Sequence, residues 1–245
     1  MPSGDGMNEI VERIKELEDQ LESGNYTPGP WSRLVTNVRQ LSDEGRRKLS
    51  VPMTRLSDKL HRQKHQWVLP LPIGLIIELV GIATGLFFLH LGLASASFWF
   101  LLIAAIILTT TFQPAIKLVT GTILGIRYSY FFFFYVEPRF KMRYGTYLSV
   151  NRWQRILYHL SGTIGSPLAF FLVAFLAREV SPQATVVCAI LFLAVLGINL
   201  LTLVLGFTAI ERLGPLGPIN QTSAGGAVWE FRNQPVRRQP IRHEL

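Results

Sequence analysis

The chain has 245 residues, a formal net charge of +8 and 49% hydrophobic residues. Charged residues make up only 16% of it, against about 25% in ordinary soluble domains. This composition excludes an ordinary soluble enzyme, a disordered tail protein and a collagen-like chain, and it predicts an integral membrane protein. A single cysteine, Cys188, excludes an intramolecular disulfide framework and a cysteine-based zinc knuckle.

Residues 1–65 are polar, and we predict that they form a helical cytoplasmic region. An apolar stripe in this region steps by four, three and four residues, which is typical of one face of a helix. Its members are Ile10, Ile14, Leu17 and Leu21. The stripe either packs against its own region or pairs with another subunit. We predict a protein partner that binds through this helix.

Four apolar stretches each provide the roughly 20 residues that are needed to cross the hydrocarbon core of a bilayer. We therefore predict an α-helical membrane protein with a transmembrane domain at 66–210. The predicted spans cover about 67–91, 94–116, 155–177 and 183–208.

The distribution of Lys and Arg predicts the topology. Seven of them lie at 46–66, six at 127–155 and five after position 208, whereas the opposite turns contain only Arg178. By the positive-inside rule, this bias places both termini in the cytoplasm. The last 35 residues, 211–245, are predicted to be a basic cytoplasmic tail.

An aromatic and basic segment at 127–150 separates the second and third spans. A block of tyrosines and phenylalanines begins at Tyr128, and alternation with period two follows between Arg139 and Tyr144. Aromatic content and this period favour strands. We predict a short β-ribbon at the membrane face, with an interfacial aromatic belt that lacks strands as the alternative.

A few polar side chains interrupt the apolar spans. Glu78 lies near the middle of the first span, where an ionisable group is costly and is a candidate for function. It either pairs with Lys117, relays protons, is neutral and hydrogen-bonded, or links two helices. His159 begins the third span, and His61 and His65 are four residues apart in the basic flank. We expect no metal or cofactor at these histidines.

The order of motifs between residues 94 and 230 resembles that of site-2 protease-type intramembrane zinc metalloproteases. Gln-Pro-Ala-Ile-Lys at 113–117 takes the place of His-Glu-x-x-His, and Leu-Gly-Ile-Arg at 124–127 ends that helix. The aromatic segment takes the place of the family's membrane-associated ribbon. The residues at 160–167 resemble its Ala-Gly-Pro region, and Ser-Ala-Gly-Gly at 223–226 stands where an Asp-Gly motif is expected.

The resemblance implies that the chemical positions are lost. Gln113, Pro114, Lys117 and Ala224 replace groups that would bind zinc or activate water. We therefore expect a non-catalytic membrane scaffold or regulatory subunit that binds a protein partner. We also expect it to contact the lipid bilayer and to bind no nucleic acid. The alternatives are an active membrane metalloprotease with ligands elsewhere and a small transporter or channel subunit that uses Glu78 and Lys117.

Overall fold

The computed structural model describes residues 4–27, 29–64, 67–134, 137–208 and 222–232. Within these ranges the chain is mainly helical and contains one three-stranded antiparallel sheet. His65 and the predicted tail at 209–221 and 233–245 lie outside the described residues.

A helical domain precedes the first apolar helix. Its helices are α1 (Gly4–Glu22), α2 (Pro30–Gln40), α3 (Asp43–Lys48) and α4 (Ser50–Lys64). Helix α1 packs against α2 and α4. The apolar stripe of α1 is buried in the core of this domain, where Leu17 is 0% exposed.

The burial of the stripe has a consequence for partner binding. Ile10, Ile14, Leu17 and Leu21 all contact the chain's own core, together with Leu34 and Leu56. The stripe therefore packs against its own region, as the first of the two alternatives predicted. A partner that binds α1 in this arrangement would have to use its exposed face, because α2 and α4 cover the apolar one.

Four helices are long and apolar enough to cross a membrane, as a multi-pass membrane protein requires. They are α5 (Leu71–Ala94), α6 (Phe98–Ile123), α8 (Arg152–Ala177) and α9 (Pro182–Phe207). Helix α6 packs between α5 and α8, and α9 packs mainly against α8. Each of the four predicted spans overlaps one of these helices.

Close packing of α5 and α6 against their neighbours depends on two glycines. A Cβ atom at Gly74 of α5 would lie 2.2 Å from the Cβ of Phe131 in the sheet. A Cβ atom at Gly165 of α8 would lie 2.5 Å from the Cα of Gln113 in α6. Both distances are far below van der Waals contact, so these contacts exist only because the two residues lack a side chain.

The predicted ribbon is part of a sheet with three strands, in the order β1-β2-β3. These are β1 (Val68–Pro70), β2 (Tyr128–Phe134) and β3 (Glu137–Met142). Leu69 pairs with Phe131, and Phe131 pairs with Phe140. Two details of the prediction were wrong: the start of the first predicted span forms β1, and the end of the predicted ribbon forms a helix, α7 (Tyr144–Ser149).

The predicted tail also contains a packed element, α10 (Ser223–Arg232), which contacts α8 and α9. Its residues Ala224 to Val228 are buried. The Arg152 side chain contacts the end of α10. It donates hydrogen bonds to the backbone oxygens of Glu230 at 3.1 Å and Phe231 at 2.6 Å. This part of the chain is therefore a structural helix and not a free tail.

Candidate functional site: a cleft between α6, α8, α10 and the sheet

A cleft of about 80 Å³ lies where α6, α8 and α10 meet the sheet. Its polar lining residues are Gln113, Lys117, Tyr128, Glu137, Arg139, Tyr158 and Ser223. A bound water needs roughly 10–15 Å³ of such space. The cleft therefore has room for a few waters or one small polar group, and it is too small for a peptide segment.

The Lys117 ammonium group extends into this cleft from α6. Its Nζ atom donates a hydrogen bond to Ser223 Oγ at 3.2 Å and lies 5.0 Å from the centre of the Tyr158 ring. A Cβ atom at Gly162 would lie 2.6 Å from Lys117 Cδ. Because Gly162 has no side chain, the aliphatic part of Lys117 fits between α6 and α8.

Gln113 lies one turn before Lys117 on the same helix, and both polar atoms of its amide group have a hydrogen-bond partner. Its Nε2 donates to Glu137 Oε1 at 2.9 Å, and its Oε1 accepts a hydrogen bond from Ser166 Oγ at 2.9 Å. Arg139 Nη2 donates to the other oxygen of Glu137 at 2.6 Å. The amide links α6, α8 and β3 at the edge of the cleft.

The residues at the positions of the resemblance do not fit a zinc ion. Gln113 and Lys117 face the same cleft, and Ala224 is buried directly after Ser223. Zinc requires neutral imidazole, thiolate or carboxylate ligands, whereas these positions offer an amide already in use, a cation and a methyl group. Pro114, also buried, has no carboxylate that could activate water. Among the described residues, no three His, Cys, Asp or Glu side chains are close enough to share a metal.

Glu78 is separate from the cleft. It is 3% exposed and lies on α5 between Gly74, which faces Phe131, and Gly81, which faces Thr111 of α6. Neither of its carboxyl oxygens has a hydrogen-bond partner among the described residues. The proposed pairing of Glu78 with Lys117 is absent from the described structure, because the lysine contacts Ser223 instead.

His159 belongs to a second polar cluster, beneath α10. Its Nε2 lies 2.9 Å from the Tyr147 hydroxyl, and a Cβ atom at Gly226 would lie 2.4 Å from its Nδ1. The Tyr147 hydroxyl also donates a hydrogen bond to Glu230. His159 therefore serves as a packing partner of α10 and the start of a hydrogen-bonded chain.

Glu230 is the centre of this cluster and is only 1% exposed. Its oxygens accept hydrogen bonds from Arg39 Nη2 at 2.6 Å and from Arg155 Nε at 2.9 Å. Burial, followed by the negative charge of Glu230, raises the pKa of Tyr147 well above its ordinary value. The cluster, which we call the Glu230 network (Arg39, Tyr147, Arg155, His159 and Glu230), joins the N-terminal domain to α7, α8 and α10.

A third group of polar contacts joins α4 to the sheet. Lys141 Nζ donates to Ser57 Oγ at 2.7 Å, Ser129 Oγ donates to Asp58 Oδ2 at 2.9 Å, and the Tyr130 hydroxyl lies 3.0 Å from His61 Nδ1. Burial lowers the pKa of Lys141 to about 8. His61 therefore links α4 to the sheet through Tyr130.

The sequence analysis missed the Glu230 network. Arg39 and Glu230 are 191 residues apart, and no local spacing connects them. The available signal was a single acidic residue within the short apolar run from Ala224 to Phe231. A carboxylate in such a run is typical of a buried ion pair, but the sequence does not identify its partners.

No protein-family model matches the chain, and neither a curated protein nor a solved structure does.

Proposed function

We propose that this chain is a non-catalytic membrane scaffold or regulatory subunit, resembling a site-2 protease whose zinc ligands have been lost, and that it binds a protein partner. One observation carries the proposal. Gln113 and Lys117 of α6 and Ser223, which precedes Ala224 and lies 106 residues after Lys117, line one cleft. Their side chains are unsuited to zinc.

The proposed orientation places both chain ends and the N-terminal helical domain in the cytoplasm. An even number of crossing helices returns the chain to the side on which it started, and Lys and Arg are concentrated on that side. The cleft then lies toward the cytoplasmic half of the membrane. A partner that binds α1 would meet its exposed face.

The direct test restores the missing ligands. The variant Gln113→His, Lys117→His, Ala224→Asp would place two imidazoles at lining positions of the cleft and a carboxylate beside the lining residue Ser223. This is a ligand set that zinc accepts. We expect about one zinc per chain in this variant and no stoichiometric zinc in the native protein, both measured by elemental analysis after purification in detergent.

The matched control places the same three residue types away from the cleft, with Ala115→His and Val119→His in α6 and Gly197→Asp in α9. This variant should retain no zinc. Stoichiometric zinc in the native chain would instead favour the active-metalloprotease alternative. Equal zinc in the restored variant and the control would remove the support for a degenerate zinc site.

A second candidate function, a small transporter or channel subunit, is favoured only by Glu78. Its buried carboxyl group has no partner among the described residues, which is an arrangement that proton-handling carboxyl groups share. Proton flux into vesicles containing the purified protein tests this candidate. A flux that Glu78→Gln abolishes would favour a transporter over the scaffold.

A further inference from the structure

The cleft contains one more positive charge than it contains negative charge. Its charged lining residues are Lys117, Arg139 and Glu137. Glu137 forms an ion pair with Arg139 at 2.6 Å and also accepts a hydrogen bond from Gln113. Both of its oxygens are therefore occupied, and the charge of Arg139 is balanced locally.

Lys117 is the lining cation whose charge no lining carboxylate balances. Among the described residues no carboxylate oxygen lies within 4.0 Å of its Nζ, which contacts the Ser223 hydroxyl and the Tyr158 ring. A lysine ammonium group has three donors, and a charge removed from water is costly unless it is paired. The structure thus holds a cation with unused donors in a cleft that has room for one small polar group.

The start of α10 adds to this positive potential. Ser223 is the first residue of this ten-residue helix, and the first turn of a helix carries a partial positive charge. The ammonium group and the helix start face the same space, because Lys117 Nζ and Ser223 Oγ are 3.2 Å apart. A negatively charged group is the complementary ligand.

The depth of Lys117 separates two sources of negative charge. It lies six residues before the end of α6 at Ile123, which corresponds to about 9 Å along the helix axis. Lipid phosphates lie near the helix ends, outside the hydrocarbon region. A side chain on a membrane-embedded segment reaches this depth directly, so it matches the site better than a headgroup does.

We propose that the Lys117 cleft binds one carboxylate side chain, Asp or Glu, from a membrane-spanning segment of the partner protein. The inference rests on the proposed scaffold function and identifies the chemistry that its partner must carry. The segment stays outside the cleft and inserts only the carboxylate, which pairs with Lys117 and accepts from Ser223. The interaction exchanges no atoms and requires no cofactor.

The experiment uses the full-length protein in phosphatidylcholine vesicles and a synthetic transmembrane peptide of Leu and Ala. One peptide carries a single Glu at the depth of Lys117, and its matched control carries Gln at the same position. Resonance energy transfer between labelled protein and labelled peptide gives the two dissociation constants. We expect the native protein to bind the Glu peptide about tenfold more tightly than the Gln peptide.

Four variants test the assignment by the ratio of these two constants. Lys117→Gln should reduce the ratio to about one, and Lys117→Arg should retain a preference for Glu. Glu137→Gln should raise the ratio, because it removes the only negative charge that lines the cleft among the described residues. Arg178→Gln removes one positive charge from an exposed position and should leave the ratio unchanged.

Three results would overturn the proposal. They are a ratio of one in the native protein, a ratio that survives Lys117→Gln, and displacement of the Glu peptide by a few per cent of phosphatidic acid in the same vesicles. The last would assign the cleft to a lipid phosphate. Zinc content measured on the same preparations keeps the two proposals distinct: stoichiometric native zinc removes the scaffold function, whereas a failed peptide ratio with no zinc removes only the carboxylate site.

Discussion

Lys117 and Glu230 are charged residues on the same side of the helical bundle, but their surroundings differ. Glu230 is 1% exposed and accepts hydrogen bonds from Arg39, Arg155 and Tyr147. Lys117 has the hydroxyl of Ser223 and an aromatic ring beside it. Both oxygens of Glu230 accept hydrogen bonds from arginines of the same chain, whereas Lys117 forms no ion pair with a described residue.

Glu230 therefore has a structural role, whereas we propose a binding role for Lys117. A buried charge that has all its partners fixes the arrangement of the elements around it, and the Glu230 network joins α2, α7, α8 and α10 in this way. A cation that lacks an anionic partner among the described residues contributes little to holding the fold. We therefore propose that a ligand from outside the chain balances the charge of Lys117.

The largest expected effect comes from breaking the Glu230 network. Glu230→Gln leaves the charges of Arg39 and Arg155 without compensation, and removing one partner of a buried ion pair costs about 3–5 kcal/mol. The free energy of unfolding, measured by titration with sodium dodecyl sulfate in mixed micelles, should fall by this amount.

The control for this variant is Glu179→Gln. Glu179 is paired with Arg178 at 3.3 Å, but its side chain is 78% exposed, so its removal should cost no more than about 1 kcal/mol. Equal unfolding midpoints for Glu230→Gln and Glu179→Gln would mean that the network does not stabilise the fold.

A smaller effect is expected at the helix seam beside the cleft. Gly165→Ala would place a Cβ atom 2.5 Å from Gln113 Cα, and a backbone atom cannot rotate away. Overpacking of this kind costs about 1–3 kcal/mol. The same unfolding titration measures it.

Gly197→Ala is the matched control for the seam, because no atom lies within 4 Å of the added Cβ. It should leave the unfolding midpoint unchanged. The seam variant should also weaken the preference for the Glu peptide, since α6 positions Lys117. A seam variant as stable as the control would show that α6 and α8 can separate at this point at no cost.

The sequence predicted the long apolar helices well because a run of about 20 apolar residues has few alternatives. It also predicted a strand segment before the third span, from aromatic content and alternation. The strand β1 was missed for a physical reason. A continuous apolar run does not distinguish a buried strand from a helix, and the only signal was Pro70, where β1 ends and α5 begins.

The candidate site, too, was predictable from the sequence only in part. Gln113 and Lys117 were predictable as one set because they are four residues apart on a helix and so share a face. The approach of Ser223 and the position of Glu230 depend on contacts across more than 70 residues. Such contacts are decided by packing of whole elements, and the Gly-Gly pair in α10 gave only a weak local sign of close approach.

The expected effect that is smallest at neutral pH concerns Lys141, a second half-buried lysine, which differs from Lys117 in lying outside the apolar helices. Burial lowers its pKa to about 8 in the folded protein, against about 10.4 in an unfolded chain. Between these values the unfolded state binds a proton that the folded state releases, so the free energy of unfolding should rise with pH, by at most about 1.4 kcal/mol per pH unit.

Lys141→Met should remove this rise, and Lys48→Met, at an exposed position, should retain it. Unfolding titrations of the three proteins from pH 7.5 to about pH 10 measure the difference, and Tyr130, whose pKa burial raises to about 12, stays protonated over this range in the folded state of each. A constant difference between native protein and Lys141→Met would mean that Lys141 stays charged when folded, supported by the nearby negative charge of Asp58. The junction would then resemble the Glu230 network, where charges are paired within the chain, more than the Lys117 cleft.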